Sequence, residues 1–470
     1  MPTISKNILW SAATSTLQVY TGSIVFIVLA KLMSVESFGI LSFGFSLATI
    51  IVVCADFGLS LMIMKDYPNV FLEHKKYVSN SLLVKVSFSA IVCFVAATYL
   101  HLLYAEKWVL IGFIFVLFAI VSSFTVFLQA LLKVKNKFNQ YTETSIVYAA
   151  SITITILIYW LTEVSLASLA LAFLFCKMLQ FFWSLYLCRE SFAIDTLSLN
   201  YQKNLVLNSW SYGAHTVLGI FYFMLDTQII SIYLGAKQVA LYQAVFRVIL
   251  GLLIISELLS NVLLPYLSFK YAKKEVIDQL VSKLFLYLFV VGCSLFLFFN
   301  AFGEFIIRFL YSEEYLEALP IVLPLSIVIV FRTVSSLLGN ILTISNKQVY
   351  TIITVFVSLT FSILFNFIFI PFYGIIGAAW VSAFVHFSMF IMYLLYSKKE
   401  VKQAKFISSD IIIVLLSVTS LFFTIQWFLN LGTNIFISLA MTAWIACIVF
   451  IMKRNKNFTF LSKLLKDKGL

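Results

Sequence analysis

Four basic side chains lie inside long hydrophobic stretches of this sequence and are its strongest chemical signal. They are Lys85, Lys177, Arg247 and Arg332. A charge at the centre of a membrane helix costs roughly 2.5–3.5 kcal/mol on insertion scales, so such residues usually face a wet cavity or a partner. The chemistry they offer is anion binding, and the planar fork of arginine suits phosphate best. The alternative for each is a structural hydrogen bond or ion pair between helices.

Acidic residues occur in the same hydrophobic stretches. Asp226 and Glu257 are the clearest buried acids, and we predict that one of them exchanges a proton or another ion during a transport cycle. Asp56 comes at the end of a stretch, where we expect a solvated terminal charge.

Polar residues recur on one helical face in three of the stretches. At 100° per residue, each set below shares an arc of roughly 80°. The sets are Asn208, Tyr212, His215, Gly219, Tyr222 and Asp226; Gln243, Arg247, Glu257 and Asn261; and Ser11, Ser15, Gln18 and Gly22. We therefore predict a hydrophilic cavity that binds substrate through the four cations and through Asn208, Tyr212, His215, Tyr222, Gln243 and Gln18. Interhelical hydrogen bonds are the alternative use of such residues.

Fourteen hydrophobic stretches position these residues. The chain is 62% hydrophobic and 11% charged, whereas soluble domains are about 45–50% apolar and about 25% charged. Each stretch approaches or exceeds the length of about 20 residues that spans a bilayer. The predicted spans are 8–30, 38–61, 78–102, 108–132, 144–161, 165–188, 205–234, 239–264, 281–302, 320–344, 349–370, 374–396, 409–429 and 433–452. We predict an all-α polytopic membrane protein.

The distribution of basic residues predicts the topology. If the connections alternate from a cytoplasmic N-terminus, 24 Lys and Arg fall on the cytoplasmic side and 4 outside. This asymmetry follows the positive-inside rule and predicts that both termini are cytoplasmic. The net charge of +12 is therefore explained by topology, and we predict no nucleic-acid partner.

Motifs for catalysis and for cofactors do not occur. The chain has no GxxxxGK[ST] loop, no HExxH and no GxSxG, so we predict neither an enzyme nor a bound nucleotide. The six cysteines lie in or at the ends of the spans, without CxxC pairs, and we predict no metal site.

A faint internal repeat suggests two halves. Trp10-Ser11 returns as Trp210-Ser211, and other short matches share an offset of about 200 residues. We predict an N-terminal lobe at 1–190 with helices 1–6, a C-terminal lobe at 191–400 with helices 7–12, and helices 13 and 14 with a basic tail at 401–470. Parallel repeats of this kind place a substrate site between the lobes near the bilayer midplane.

Five segments in this order resemble polysaccharide-lipid flippases. They are Met33–Gly39, Asp56–Leu59, Asp226–Ile230, Leu241–Ala244 and Pro371–Trp380. The resemblance covers roughly residues 5–455. It is to the Wzx-type O-antigen and polysaccharide exporters within the multidrug/oligosaccharidyl-lipid/polysaccharide (MOP) exporter superfamily.

The resemblance implies two six-helix lobes in a V around a central cavity, with two extra helices. It implies movement of an undecaprenyl-pyrophosphate-linked oligosaccharide across the bacterial inner membrane. Buried cations would meet the pyrophosphate, and a proton or sodium gradient would supply the coupling in place of a cofactor. Membrane lipids and polysaccharide polymerase machinery are the other partners that it implies.

Three alternatives stay open at the level of sequence. The first is a multidrug or cation antiporter, although four deep cations favour an anionic cargo. The second is a flippase for another lipid-linked glycan precursor, of peptidoglycan or teichuronic acid. The third is a scaffold for glycan polymerases, in which the cavity charges would be dispensable.

Overall fold

A computed structural model describes residues 2–67, 74–162, 164–192, 197–273, 277–406, 408–430, 442, 444–446 and 448. At 2–5, 8, 74, 211, 215, 255–266, 272 and 429–430 the description is limited to the backbone. The described residues form helices and short turns and contain no β-strand. This confirms the predicted all-α class.

Thirteen α-helices account for most of the described chain. They are α1 (Pro2–Val19), α2 (Val25–Leu32), α3 (Val35–Asp56), α4 (Leu59–Asp66), α5 (His74–Leu103), α6 (Glu106–Val134), α7 (Phe138–Thr162), α8 (Leu166–Cys188), α9 (Leu199–Ala272), α10 (Asp278–Leu310), α11 (Val322–Ile344), α12 (Gln348–Glu400) and α13 (Ser409–Asn430). A π-helical turn, Tyr20–Ile24, joins α1 to α2. Short 3₁₀ turns occur at Arg189–Ser191 and Glu313–Ile321.

Glycines divide the two longest helices. The backbone leaves helical geometry inside α9 at Gly235 (φ 79°) and inside α12 at Gly374 (φ 60°). Both angles lie in the region that glycine adopts without a steric penalty. Once α9 and α12 are divided at these glycines, the helices that can span a membrane match predicted spans 1–13. Predicted span 14 falls mostly outside the described residues.

Two asparagine turns have the same geometry in the two halves of the sequence. Asn136 follows α6 and Asn346 follows α11, and both have φ 57°. In each turn the asparagine N–H bonds the carbonyl three residues before it, and the next lysine bonds the carbonyl five residues before itself. The turns are 210 positions apart, close to the offset of the sequence repeat.

Local sequence also determines where other helices begin and end. Ser34 caps α3 by accepting a hydrogen bond from the N–H of Ser37, and Ser165 caps α8 in the same way. At the other end of α3, Phe57 and Gly58 both adopt left-handed geometry, and α4 starts directly after them. Phe57 and Gly58 therefore form a break between α3 and α4, at the end of the hydrophobic stretch of α3.

The helices pack into two compact units, each with its own core. The first comprises Met1–Arg247, Leu310–Tyr315 and Val355–Val381; the second comprises Val248–Phe309, Leu316–Thr354 and Ser382–Leu470. In the first unit α6 packs against α3 and α8. In the second, buried residues of α10 and α11 form an apolar core with Ile411 and Val414 of α13. The lobe boundaries predicted from the sequence stay a prediction.

Candidate functional site

Arg247 lies in a membrane-spanning part of α9 and contacts the first membrane helix. Its Nη1 donates a 3.1 Å hydrogen bond to the carbonyl of Gly22. The guanidinium carbon lies 3.8 Å from the centroid of the Phe26 ring. Gly22 belongs to the π-helical turn, a distortion frequent at functional sites. Arg247 Nε has no hydrogen-bond partner, and no carboxylate pairs with Arg247 among the described residues.

Lys177 is held without a carboxylate as well, as far as the structure describes the chain. It is half-buried in α8, and its Nζ lies 3.6 Å from the centroid of the Tyr148 ring on α7. The same Nζ donates a 2.8 Å hydrogen bond to Oε1 of Gln180. A desolvated cation–π contact contributes about 2 kcal/mol, which offsets part of the penalty for placing the ammonium in the membrane.

A cluster of phenylalanines connects the surroundings of these two cations. The centroid of the Phe26 ring, which the Arg247 guanidinium contacts, lies 4.7 Å from the centroid of the Phe45 ring. Phe45 lies 5.6 Å from Phe118, and the Phe118 ring is 5.4 Å from the Nζ of Lys177. Arg247 and Lys177 therefore contact opposite ends of one continuous aromatic cluster. Their positive charge is stabilised by ring faces instead of fixed anions.

Asp226 is buried in α9, and at least three side chains donate hydrogen bonds to it. The hydroxyl of Tyr242 donates to Oδ2 at 2.8 Å. The amide of Asn366 and the hydroxyl of Ser362, both on α12, donate to Oδ1 at 2.7 and 3.3 Å. Donors of this kind stabilise the ionised carboxylate.

Asp56 is not the solvated terminal charge expected from the sequence; that expectation was wrong. It is 9% exposed and forms a 2.5 Å ion pair with Lys85 of α5. The side chain of Lys85 is fully buried. The backbone N–H and the hydroxyl of Ser60 also donate to Asp56. Lys85 therefore occupies the structural ion pair that the sequence left open as its alternative role. The pair fastens α5 to the break between α3 and α4.

Three further predicted cavity residues make contacts inside the first unit. Gln243 is 1% exposed and donates to the hydroxyl of Thr227. Tyr222 is 6% exposed and lies against Phe223. Gln243 therefore fits the interhelical alternative, because Thr227 lies on the other side of the break at Gly235. Gln18 is exposed and donates a 3.2 Å hydrogen bond to the hydroxyl of Tyr141.

Near its beginning, α9 crosses the break between α3 and α4. A Cβ on Gly213 would lie 2.7 Å from the carbonyl oxygen of Phe57, so the two backbones approach closely. Beside this contact, Lys65 of α4 donates a 2.6 Å hydrogen bond to the hydroxyl of Tyr212. That hydrogen bond raises the pKa of Lys65. Asn208, about one turn earlier, is exposed.

The remaining predicted residues are less completely described. Arg332 lies in the second unit, is half-buried, and is near the side chains of His386 and Tyr393. The side chains of His215 and Glu257 lie outside the described part of the structure. Their roles stay predictions.

Sequence reasoning missed a polar network in the first unit. Tyr99 donates to Oε1 of Gln228 at 3.2 Å, and the amide of Gln228 donates to Ser46 at 3.1 Å. Tyr104 lies within 2.7 Å of the Ser231 hydroxyl. The network joins α3, α5 and α9. Gln228 and Ser231 follow the predicted polar stripe of α9, so the sequence contained a signal for these two residues. No local pattern indicated Tyr99 or Tyr104.

Comparison with known proteins agrees with this architecture. Residues 4–270 match the family described as polysaccharide biosynthesis protein. An uncharacterized membrane protein of Methanocaldococcus jannaschii is 27% identical over 228 residues, which are 47% of this chain and 45% of that protein. The alignment thus spans about half of this curated relative.

Two solved structures have a similar fold. The lipid II flippase MurJ in an inward closed conformation has a TM-score of 0.73 at 16% identity, over 96% of this chain and 100% of that one. An inward-facing multidrug resistance MATE family transporter of the MOP superfamily has a TM-score of 0.70 at 10% identity, over 86% and 100%. Identities this low show the fold alone. The family match covers more than half of the sequence and supports the resemblance found in its motifs. The chain is therefore a member of the polysaccharide biosynthesis protein family, with the multi-span membrane fold shared by MurJ and MATE transporters.

Proposed function

We propose that this protein moves a polyprenyl-pyrophosphate-linked oligosaccharide from the cytoplasmic to the outer leaflet of a bacterial inner membrane. The observation that carries the proposal is the state of Arg247. Its guanidinium lies within the membrane and is held by a backbone carbonyl and a phenylalanine ring, with no carboxylate partner among the described residues. A pyrophosphate is the anion that a flippase of lipid-linked glycans must accommodate.

Arg247 is suited to transient anion binding because its present contacts are replaceable. A buried arginine that is paired with a carboxylate would lose several kcal/mol if that partner were removed. A carbonyl and a ring face hold the guanidinium less strongly, and its five donors fit phosphate oxygens bidentately. Lys177 would add a second positive charge near the other end of the aromatic cluster. We keep Arg332 as a third candidate and assign Lys85 to structure.

Asp226 is our candidate for energy coupling. Its carboxylate is bound by groups from α9 and α12, so a change in its charge would alter the contact between these helices. Binding of a proton or a sodium ion would weaken or replace those hydrogen bonds. In the proposed cycle this step resets the transporter after the headgroup is released outside, while the polyprenyl tail stays in lipid. The coupling ion is left open.

The positive-inside distribution supports cytoplasmic termini for the proposed topology. Membrane lipids would contact the exposed apolar helix faces, and a glycan polymerase would receive the product.

A multidrug or cation antiporter is the second candidate, which the MATE-like fold and the buried Asp226 favour. A flippase for another lipid-linked glycan precursor shares the proposed chemistry.

The proposed function is tested by transport in liposomes of the purified full chain. The probe is a fluorescent undecaprenyl-pyrophosphate-linked saccharide, and its leaflet is followed by quenching from outside. We expect the unmodified protein to move the probe and Arg247→Ala to reduce the rate at least tenfold. Arg308→Ala is the matched control, because Arg308 is exposed and pairs with Glu304. Efflux of an organic cation without movement of the glycolipid would support the antiporter instead.

A further inference from the structure

A polar pocket of about 380 Å³ lies between the end of α4 and the beginnings of α5 and α9. Its size falls within the range of roughly 300–1,000 Å³ that is typical of small-molecule sites. Met62, Asp66, Tyr77, Tyr201, Asn204, Leu205 and Asn208 line it. The pocket belongs entirely to the first compact unit. It contains Asn208, which the sequence placed in a substrate cavity, but neither of the two cations discussed above.

The lining carries a specific set of hydrogen-bonding groups. Asp66 supplies a carboxylate, Asn204 and Asn208 supply two exposed amides, and Tyr77 and Tyr201 supply phenols. Tyr77 is only 3% exposed, yet its hydroxyl has no hydrogen-bond partner among the described residues. A buried hydroxyl without a partner costs about 1–3 kcal/mol. The Tyr77 hydroxyl itself is closed off from solvent, so a ligand hydroxyl becomes its partner only when the Tyr77 side chain rotates towards the pocket.

The composition of the wall distinguishes between ligand classes. No lysine or arginine is among the described lining residues, and Asp66 would repel a phosphate or pyrophosphate. The nearby Lys76 has its Nζ 5.1 Å from the centroid of the Tyr201 ring and is not itself a lining residue. A polyprenyl chain would leave the carboxylate and the amides unsatisfied. A neutral molecule rich in hydroxyl groups satisfies all of them, because each hydroxyl both donates and accepts. The rings of Tyr77 and Tyr201, 6.5 Å apart and nearly perpendicular, add apolar surface for the face of a sugar ring.

We propose that this pocket binds the saccharide headgroup of the transported lipid and gives the protein its preference for glycosylated cargo. The proposal rests on the proposed flippase function and adds a site for the sugar, separate from the cations that meet the pyrophosphate. The flanking lysines, Lys65, Lys75 and Lys76, belong to a segment that the positive-inside rule places in the cytoplasm. That is the side on which the headgroup is assembled before transport.

The test measures equilibrium binding of four probes to the purified full chain in lipid nanodiscs. One probe is bare undecaprenyl pyrophosphate; the others carry N-acetylglucosamine, glucose or galactose. We expect at least one glycosylated probe to bind about tenfold more tightly than the bare lipid. Tyr77→Phe and Asn204→Ala should remove most of this preference and leave the affinity for the bare lipid unchanged.

Matched controls separate binding from folding. Asn200→Ala removes an exposed amide one turn before Asn204, and Tyr67→Phe removes a phenol outside the pocket. Both should keep the preference for the glycosylated probe. Asp66→Asn retains hydrogen-bonding groups and should keep most of the preference for the glycosylated probe. Spermidine is titrated separately; if the unmodified protein binds it and Asp66→Asn abolishes that binding, the pocket is a cation site and the proposal is wrong.

Two other outcomes overturn the inference. In the first, the unmodified protein binds the bare lipid as tightly as every glycosylated probe. In the second, the pocket variants lower the affinity for all four probes by the same factor. In both cases the bare lipid still binds, so the flippase function survives. Failure of all four probes to bind would instead contradict the proposed function itself.

Discussion

The guanidinium of Arg247 donates a hydrogen bond to the carbonyl of Gly22, a residue 225 positions earlier in the chain. Gly22 lies in a π-helical turn, and a Cβ at this position would meet no atom within 4 Å. A cation from α9 thus contacts the distorted part of the first membrane helix beside open space. We propose that an anion that replaces the carbonyl as the acceptor also removes this contact with the first membrane helix.

We expect Arg247→Lys to impair anion binding although it keeps the charge. Lysine cannot form two parallel hydrogen bonds to one phosphate group, and a hydrogen bond to a charged group contributes about 1.5–3 kcal/mol. The affinity for undecaprenyl pyrophosphate should fall by roughly 10- to 100-fold. Binding to the purified protein measures this, with Arg308→Lys as the control. An unchanged affinity would show that only the charge of Arg247 matters.

Replacement of Arg332 by alanine should abolish surface glycan while membrane insertion stays intact. The reason is the proposed loss of a cation from the transport route in the second unit. The measurement is surface polysaccharide in a strain that depends on this protein, together with the amount of protein in the membrane. Normal surface glycan in the variant would remove Arg332 from the mechanism.

The buried pair of Lys85 and Asp56 should be critical for stability. Lys85→Met leaves the Asp56 carboxylate buried without its cation, a change that typically costs about 3–5 kcal/mol. The double variant Lys85→Met/Asp56→Leu should recover much of this loss because no unpaired charge is left. Thermal unfolding in detergent of both single variants and the double variant gives the coupling energy. Additive effects would contradict the ion pair.

Two glycines of α9 should respond oppositely to alanine. At Gly213 a Cβ would lie 2.7 Å from the carbonyl oxygen of Phe57, so Gly213→Ala must separate the two backbones. At Gly219 a Cβ would meet nothing within 4 Å. Gly219→Ala should therefore be neutral or stabilising by up to about 1 kcal/mol. Melting temperatures of the two variants compare them directly, and equal losses would contradict the close crossing at Gly213.

Asp226→Asn should uncouple transport from the ion gradient. The amide cannot bind a proton or attract a cation as the carboxylate does, although it still accepts hydrogen bonds. We expect transport of the glycolipid probe to lose its response to an imposed proton or sodium gradient, while probe binding persists. Glu304→Gln, which neutralises an exposed acid, is the control. A gradient response that is the same in both variants would exclude Asp226 from coupling.

The helices themselves were predictable from local sequence. Hydropathy located thirteen of the predicted spans, and the predicted start of span 12 at residue 374 coincides with the non-helical Gly374. The polar stripe of α9 lies within one helix, as predicted, but its members have different surroundings. Asn208 is exposed and lines the polar pocket, whereas Asp226, about 27 Å further along the helix, is buried.

Sequence alone established a membrane protein with many spans and an unusual set of cations within them, and it predicted a repeated organisation. These properties follow from length, hydropathy and charge, which act within single helices or their connections. Tertiary structure decided which charges are neutralised: Lys85 meets Asp56 across 29 positions, whereas Arg247 meets a carbonyl and a phenylalanine ring. A pairing of this kind depends on which helix faces approach each other, and that is determined by the packing of the whole unit.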